Sequence, residues 1–530
     1  MKIDKLGVAN TVKKALMISA AVCVPSLVTA QEITLKSTDG GFDIVGELIE
    51  YQDNIYVVRT NIGALRVSAD RVQCVGSACP DIAVLDDEVT IAGSDAIAEG
   101  LVPVLLSGYA AHLDAEQQVT ETIGSVEINA QFVANQGFGD LMSSFRVRSS
   151  ISSDAFANLL GKSAEIGLSS RRITIEEART LREYGSGSMV SPNNEHIVAV
   201  DSIVMITHPS NPVKTLSMSQ VADIYNGAIS NWNQVGGLDA PINAVHLRAG
   251  AGTRAIFEER IFGASAAGNP VNVVSSDSSL DVSRAVSADE NAIGYVSIAF
   301  QRGAQAVNLT NECGISMTPD FFSAKTGEYA LQRALYFYTR EDTKNDQANE
   351  FLEWSKSSAA DAVIAKTGFI DLGVARVSQG NDSPRAVSLR NANLDAYETG
   401  FAEDMLATMS EFDRLSSTFR FRTGSDRLTP QARVGLERLI GFLEQKPEGT
   451  EILLVGFTDD QGPFDSNLSI SIGRAEQVVT EIRAAADGRL DHINLSATGY
   501  GELSPAACNV TPDGRSINRR VEVWSKPPRT

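Results

Sequence analysis

Two groupings of side chains in this sequence have the types and spacing to act on a charged ligand. Asp459 follows an apolar, strand-sized run, Ile452 to Val455, and Arg474 comes fifteen residues later inside a helical pattern. A carboxylate beside a guanidinium offers one acceptor and one fork of donors, a pair that can hold a zwitterion. Asn467, read as lying on the loop before that helix, would add neutral hydrogen bonds. For an arbitrary Asp and Arg the ordinary outcome is an internal ion pair. The second grouping is dispersed. Ile91-Ala92-Gly93-Ser94-Asp95 reads as a strand running through Gly-Ser into a helix. That turn presents backbone N–H groups and a hydroxyl at a helix N-terminus, an anion site in principle. Ser169 and Ser170 form a further hydroxyl cluster. The plain alternative for Ser94 is a helix N-cap.

Catalytic chemistry finds no support. None of the five histidines sits in His-Glu-x-x-His or pairs with a cysteine at metal spacing. No Gly-x-Ser-x-Gly elbow, Walker loop or dinucleotide fingerprint occurs. Ser469 and Ser471 lie near Asp459 without a local His, so no triad forms. The expectation is a non-enzyme with no catalytic residue, no metal site and no cofactor. A net charge of −21 repels phosphate backbones and argues against general nucleic-acid binding.

The 530 residues, 43% hydrophobic and 21% charged, have globular composition and room for several domains. Lys2, Lys5, Lys13 and Lys14 precede an apolar run that ends Val28-Thr29-Ala30, so residues 1–30 read as a signal peptide. Export would let disulfides persist. Cys74 and Cys79 bracket a four-residue loop and are expected to pair, the alternative being a Cys-x4-Cys metal site that no second ligand pair accompanies; the sequence leaves Cys313 and Cys508 open. Residues 32–80 alternate short apolar runs with turns such as Asp39-Gly40-Gly41, a small β unit. Residues 86–375 mix strand and helix patterns over a length sufficient for two lobes. Residues 376–416 read as a polar linker followed by a helix, and 417–526 as a final α/β unit. In that unit Leu468, Ile472, Ala475, Val479 and Ile482 mark one helix face. The fold class expected is therefore α/β multidomain.

Three blocks of the last unit fix a resemblance. They are Phe419-Arg420-Phe421 through Pro430, Gly456-Phe457-Thr458-Asp459-Asp460 leading to Arg474-Ala475, and Gly499-Tyr500-Gly501-Glu502 leading to Arg515 and Asn518-Arg519-Arg520. Together they resemble the OmpA-like peptidoglycan-binding domain, an α/β sandwich. The resemblance implies that Asp459, Asn467 and Arg474 bind the zwitterionic end of diaminopimelate in the wall peptide. It leaves undecided whether Arg515, Asn518 and Arg519 touch ligand or brace the fold. Phe457 stands where the family often has His and is expected to tune packing. The β-barrel that often precedes such domains has no counterpart here.

The middle of the chain resembles the periplasmic phosphate-binding component of ABC importers. The resemblance rests on the Ser94 turn, Asn211-Pro212-Val213, Asn231-Trp232, the Arg248 to Arg254 block and Ile293-Gly294-Tyr295. It implies a two-lobed periplasmic-binding-protein fold with phosphate or a related oxyanion held by Ser94, Ser169, Arg248, Gly252 and Thr253. Ala251 replaces a family Ser, and Ser170 stands where some relatives carry an acidic acceptor. The family's Gly-Ser-Gly loop is read at Gly137-Phe138-Gly139, and Asp201 is read as a structural hinge residue. The combined expectation is a periplasmic protein of a Gram-negative envelope, bound to peptidoglycan, with outer-membrane association compatible. The alternative is a structural wall tether whose middle domain no longer binds phosphate.

Overall fold

The structure is a computed structural model. It describes residues 32–37, 43–52, 55–76, 78–79, 88–121, 127–135, 141–263, 273–421 and 430–526. The signal segment 1–30, Gly137-Phe138-Gly139 and the 422–429 part of the first C-terminal block lie outside the described residues. Among the described residues no helix is long and apolar enough to cross a membrane.

The N-terminal unit is a five-stranded sheet in which each neighbouring pair runs antiparallel. Ile33, Leu35, Tyr56, Val58 and Val72 form its core, as alternation along half-buried strands requires. Cys74 and Cys79 are joined by a disulfide with Cα atoms 5.8 Å apart.

The second compact unit contains the two lobes and the C-terminal domain. In the first lobe the strands Leu141–Ser150, Val89–Ser94 and Ile166–Ser169 run parallel. Their near-continuous apolar burial is what a sheet covered on both faces demands. A hairpin, Ala115–Glu121 with Glu127–Ala134, extends this sheet. The second lobe is built on Asn243–Leu247, Ala292–Ser297 and the strand beginning at Val273. Two long strands pass between the lobes. Glu195–Thr207 pairs antiparallel with Gln332–Tyr338, from Glu195 opposite Tyr338 to Ser202 opposite Gln332. Separate cores lie on either side of this crossing, one around Leu105, Phe145 and Phe351, the other around Trp232, Phe257 and Tyr295. His246 and His196, both buried, are pushed down to about 4, chiefly by desolvation. His246 bonds the Tyr295 hydroxyl at 2.9 Å within the second core.

The C-terminal domain is a five-stranded sheet covered by helices. Glu451–Phe457 and Asn494–Gly499 are parallel, and Arg520–Ser525 and Asp413–Arg420 continue the sheet antiparallel. The helix Phe464–Ala486 buries Asn467, Ser471, Ala475, Val478 and Ile482 on one face. The expected linker corrects to a folded segment. Arg376–Ser378 pairs with the strand Asp413–Arg420. Ser383 caps the helix Pro384–Arg390, and Ala386 and Leu389 are buried. This helix sets Arg385 on Glu522 with two bonds of 2.7 Å. Two apolar side chains are too few to register as periodicity, so the segment reads as polar linker.

Glu522 is fully buried and also accepts from Arg520 Nε and Trp524 Nε1, at 2.8 and 2.9 Å. Arg414 lies 3.0 Å from it and binds Glu328 of the second lobe. Phe457 lies under the Arg520 guanidinium at 4.3 Å, a cation–π contact. The domain touches both lobes. Cys508 is disulfide-bonded to Cys313 of the second lobe, and Arg438 binds Asp361 of the first at 2.7 Å.

Candidate functional site

The parallel strands of the first lobe end together, where ligands of α/β sheets bind. Ser94 closes the strand Val89–Ser94 and precedes the helix Asp95–Gly100. It is fully buried, caps no helix N–H with its side chain, and its Oγ has no partner. The N-cap alternative therefore fails, and a buried hydroxyl remains to be satisfied. Ser169 ends the strand Ile166–Ser169, with its hydroxyl donating to the Arg171 carbonyl at 2.7 Å. Ser170 is also buried, and its N–H donates to Ser152 Oγ at 3.1 Å.

Ser152 was not singled out in the sequence. The strand Leu141–Ser150 passes through Ile151 into the helix Ser152–Leu160, the same strand–hydroxyl–helix turn that Ser94 makes. The turn has no glycine and so does not look like the Gly-Ser-Gly loop read at 137–139. The usable signal was the alternation of Phe145, Val147 and Ser149 running into Ser152-Ser153-Asp154.

From the second lobe, the strand Asn243–Leu247 leads to the helix Gly252–Phe262. Gly252 abuts the first lobe. A Cβ there would lie 2.2 Å from Ser170 Oγ and 3.0 Å from Ser152 Oγ. Only a hydrogen fits, so the helix N-terminus is brought onto the opposing hydroxyls. Gly252→Ala is expected to displace Ser170 and cost about 1–3 kcal/mol by overpacking. It should weaken anion binding about tenfold, the loss of one hydrogen bond. Denaturant unfolding and calorimetry check the two effects.

Arg248 reaches the same place from the loop, with Nη2 4.0 Å from Asp95 Oδ2 and Nε donating to the Asp277 carbonyl. Its side chain is 42% exposed and keeps donors free for a ligand. Thr253 is engaged otherwise. Its Oγ1 accepts from Arg333 Nη2 at 2.8 Å, while Arg333 Nε binds Asp201 at 2.9 Å. Ser297 donates to the other Asp201 oxygen at 2.7 Å. The two crossover strands thus contribute a buried ion pair that fixes Thr253, and Asp201 is structural as read.

Asp95 and Arg333 were not assigned from sequence. Burial raises the Asp95 carboxyl above its usual range, opposed by the Ala96 N–H, Arg333 and Arg248. The cleft thus keeps one acid near its cations, at a different position from the Ser170 substitution.

In the C-terminal domain the expected partners regroup. Asp459 Oδ2 accepts from Arg519 Nη1 at 2.6 Å, so Arg519 and not Arg474 is its ion-pair partner. Arg474 Nη1 is buried without a partner, and its guanidinium stacks 5.7 Å from Phe421. Burial and then Arg519 lower its basicity, while Asp459 raises it. A carboxylate flanked by two guanidiniums, one short of acceptors, is arranged to take an acidic group at Arg474. Asn467 lies in the first turn of Phe464–Ala486, not on the preceding loop. Its Nδ2 donates to the Asp459 carbonyl at 3.3 Å, which positions the loop. Asn518 accepts from the Ala506 and Ala507 N–H groups, and Arg515 donates to the Asn509 carbonyl, so both brace the fold.

A family model described as PBP superfamily domain matches residues 82–359, and one described as OmpA family matches 420–519. A protein of Bacillus subtilis (strain 168) named phosphate-binding protein PstS is 28% identical over 193 residues, 36% of this chain and 62% of that protein, less than two thirds of its length. Its namesake in Borreliella burgdorferi is 24% identical over 226 residues, 42% of this chain and 77% of that one. Outer membrane porin F of Pseudomonas fluorescens is 32% identical over 116 residues, 22% of this chain and 34% of that one. With residues 82–359 of its 530 inside the first model, this chain belongs to the PBP superfamily, and it carries an OmpA-family domain after it.

Proposed function

We propose that this chain is an exported envelope protein that binds phosphate or a similar oxyanion between its lobes and peptidoglycan through its C-terminal domain. The observation that carries the anion reading is the junction at Gly252, where a helix N-terminus meets Ser170 and Ser152, with Arg248 in the preceding loop facing Asp95 of the first lobe at 4.0 Å. Backbone N–H groups, hydroxyls and one unsaturated guanidinium suit a desolvated oxyanion. Two relatives named phosphate-binding proteins support the choice of anion. The wall reading rests on half-buried Arg474, whose Nη1 lacks an acceptor, beside the Asp459–Arg519 pair. The protein works by binding, without catalysis, in the periplasm against the wall; outer-membrane association is part of the proposal.

One second reading has its own support. Ala251 offers no hydroxyl, Thr253 is taken by Arg333, and Asp95 adds negative charge to the cleft. These favour a wall tether whose cleft has lost phosphate.

Calorimetry separates the two readings. The full mature chain is the right sample, because a disulfide and buried ion pairs join the lobes to the C-terminal domain. Micromolar or tighter binding of phosphate supports the first reading, and no heat with phosphate or sulfate supports the tether. Sedimentation with purified diaminopimelate-type sacculi tests the wall claim. Arg474→Ala and Asp459→Ala are each expected to weaken retention tenfold or more, since a hydrogen bond to a charged group is worth about 1.5–3 kcal/mol. Undiminished retention by both variants would sink it.

A further inference from the structure

A second cavity lies where the C-terminal domain meets the two lobes. It has a volume of about 690 Å³, within the range of ~300–1,000 Å³ that holds organic ligands. Ser170 lines both this cavity and the cleft junction, but Arg248, Ser94 and Gly252 are not among its walls, so the cavity extends from that junction toward the C-terminal domain.

Its polar lining is unbalanced. Arg333, Thr418 and Arg420 each keep a buried polar atom without a partner, namely Nη1, Oγ1 and Nε. Both guanidinium atoms can only donate, and a hydroxyl can. Buried donors are rarely left unpaired, and three on one cavity call for acceptor oxygens. Arg333 is 4% exposed and already holds Asp201 with its other nitrogens. Arg420 has carbonyl partners only, with Nη2 donating to Thr326 and Gly327, and no carboxylate pairs with it among the described residues. Burial, with Glu328 opposing and Arg520 and Arg414 adding to it, brings its guanidinium down to about 10. Four other basic groups on the wall hold carboxylates: Arg171 with Glu177, Arg172 with Glu195, Lys325 with Asp371 and Arg438 with Asp361. Ile197, Leu372 and Phe421 supply apolar surface beside the donors.

We propose that this cavity is a second ligand site for an organic phosphate of sugar-phosphate size, with its charged group on Arg420 and Thr418 and its carbon skeleton against the apolar wall. An inorganic anion would leave most of the volume empty and the apolar surface uncovered. The site draws on both the binding-protein lobes and the C-terminal domain, so neither half contains it alone.

The test is calorimetry of the full mature chain with glucose 6-phosphate, inorganic phosphate and glucose as probes. Glucose 6-phosphate is expected to bind, to bind equally well in Arg248→Ala, and to weaken at least tenfold in Thr418→Val and Arg420→Gln. Glucose alone should give no heat. Should Arg420→Gln unfold, the near-isosteric Thr418→Val decides. No binding of glucose 6-phosphate by the unsubstituted chain overturns the proposal. So does binding that Arg248→Ala abolishes, binding that Thr418→Val leaves intact, or equal affinity of inorganic phosphate at this second site. The cleft reading survives each of these, since its own signal is inorganic phosphate lost in Arg248→Ala.

Discussion

Arg248→Ala is expected to weaken phosphate binding by the full chain at least a hundredfold while leaving unfolding nearly unchanged. Of the two guanidiniums near the cleft hydroxyls, Arg333 is committed to Asp201 and Thr253, whereas Arg248 spends only Nε on a carbonyl. Two charge-assisted bonds at about 1.5 kcal/mol each give about 3 kcal/mol, or roughly a hundredfold. The loss also leaves the Asp95 carboxylate facing the ligand with one counter-charge fewer. Stability should change by less than about 0.5 kcal/mol, because the side chain lies at the surface and its ion pair with Asp95 is long, at 4.0 Å. Calorimetry with a parallel denaturant titration measures both. Equal affinity in the variant would remove the cleft from the anion reading.

Glu522→Ala is expected to be the most damaging single change in the C-terminal domain, at about 3–5 kcal/mol. The carboxylate has no solvent exposure and neutralises Arg385, Arg414 and Arg520 while accepting from Trp524. Its removal strands three cations in a low-dielectric interior. The same cluster sets an acid limit. Attraction to its guanidiniums overcomes burial and holds Glu522 well below the usual carboxylate range, and Arg414 and Arg520 bring Glu328 to about 2. A depressed folded value means that the unfolded chain binds more protons in that window, so stability rises with pH there. The contribution is complete above the ordinary carboxylate range and is lost as pH falls toward about 2. Urea unfolding at pH 7 and pH 3 should show a steep loss in the natural chain and a shallower one in Glu522→Ala. A change under about 1 kcal/mol at pH 7 would contradict the assigned role.

Local pattern carried much of the architecture. The burial that makes Val89–Ser94 a covered strand and the helical spacing from Leu468 to Ile482 are both written in consecutive residues. The strand-to-helix turn at Ser94 was legible because glycine and hydroxyl stand together in it, whereas the engagement of Thr253 by Arg333 was not. The site was not legible where the choice depended on the third dimension. Nothing in spacing says that Asp459 takes Arg519, sixty positions away, over Arg474. Arg333 and Asp201 meet because two crossover strands share a register, and Cys313 reaches Cys508 across 195 positions. The Ser150-Ile151-Ser152 turn escaped for the opposite reason: its signal was local but lacked the glycines that mark its neighbours.

The attachment of the C-terminal domain to both lobes makes it a load path. On the proposed wall binding, tension arriving at Asp459 and Arg474 would reach the second lobe through the Cys508–Cys313 disulfide and the first through the backbone that runs from Phe369 into the strand Arg376–Ser378. Both joints are covalent, so neither stretches on the scale of noncovalent forces, and the Arg438–Asp361 ion pair only braces the second of them. A pull on the anchor would therefore load both lobes together and leave the domain attached to each.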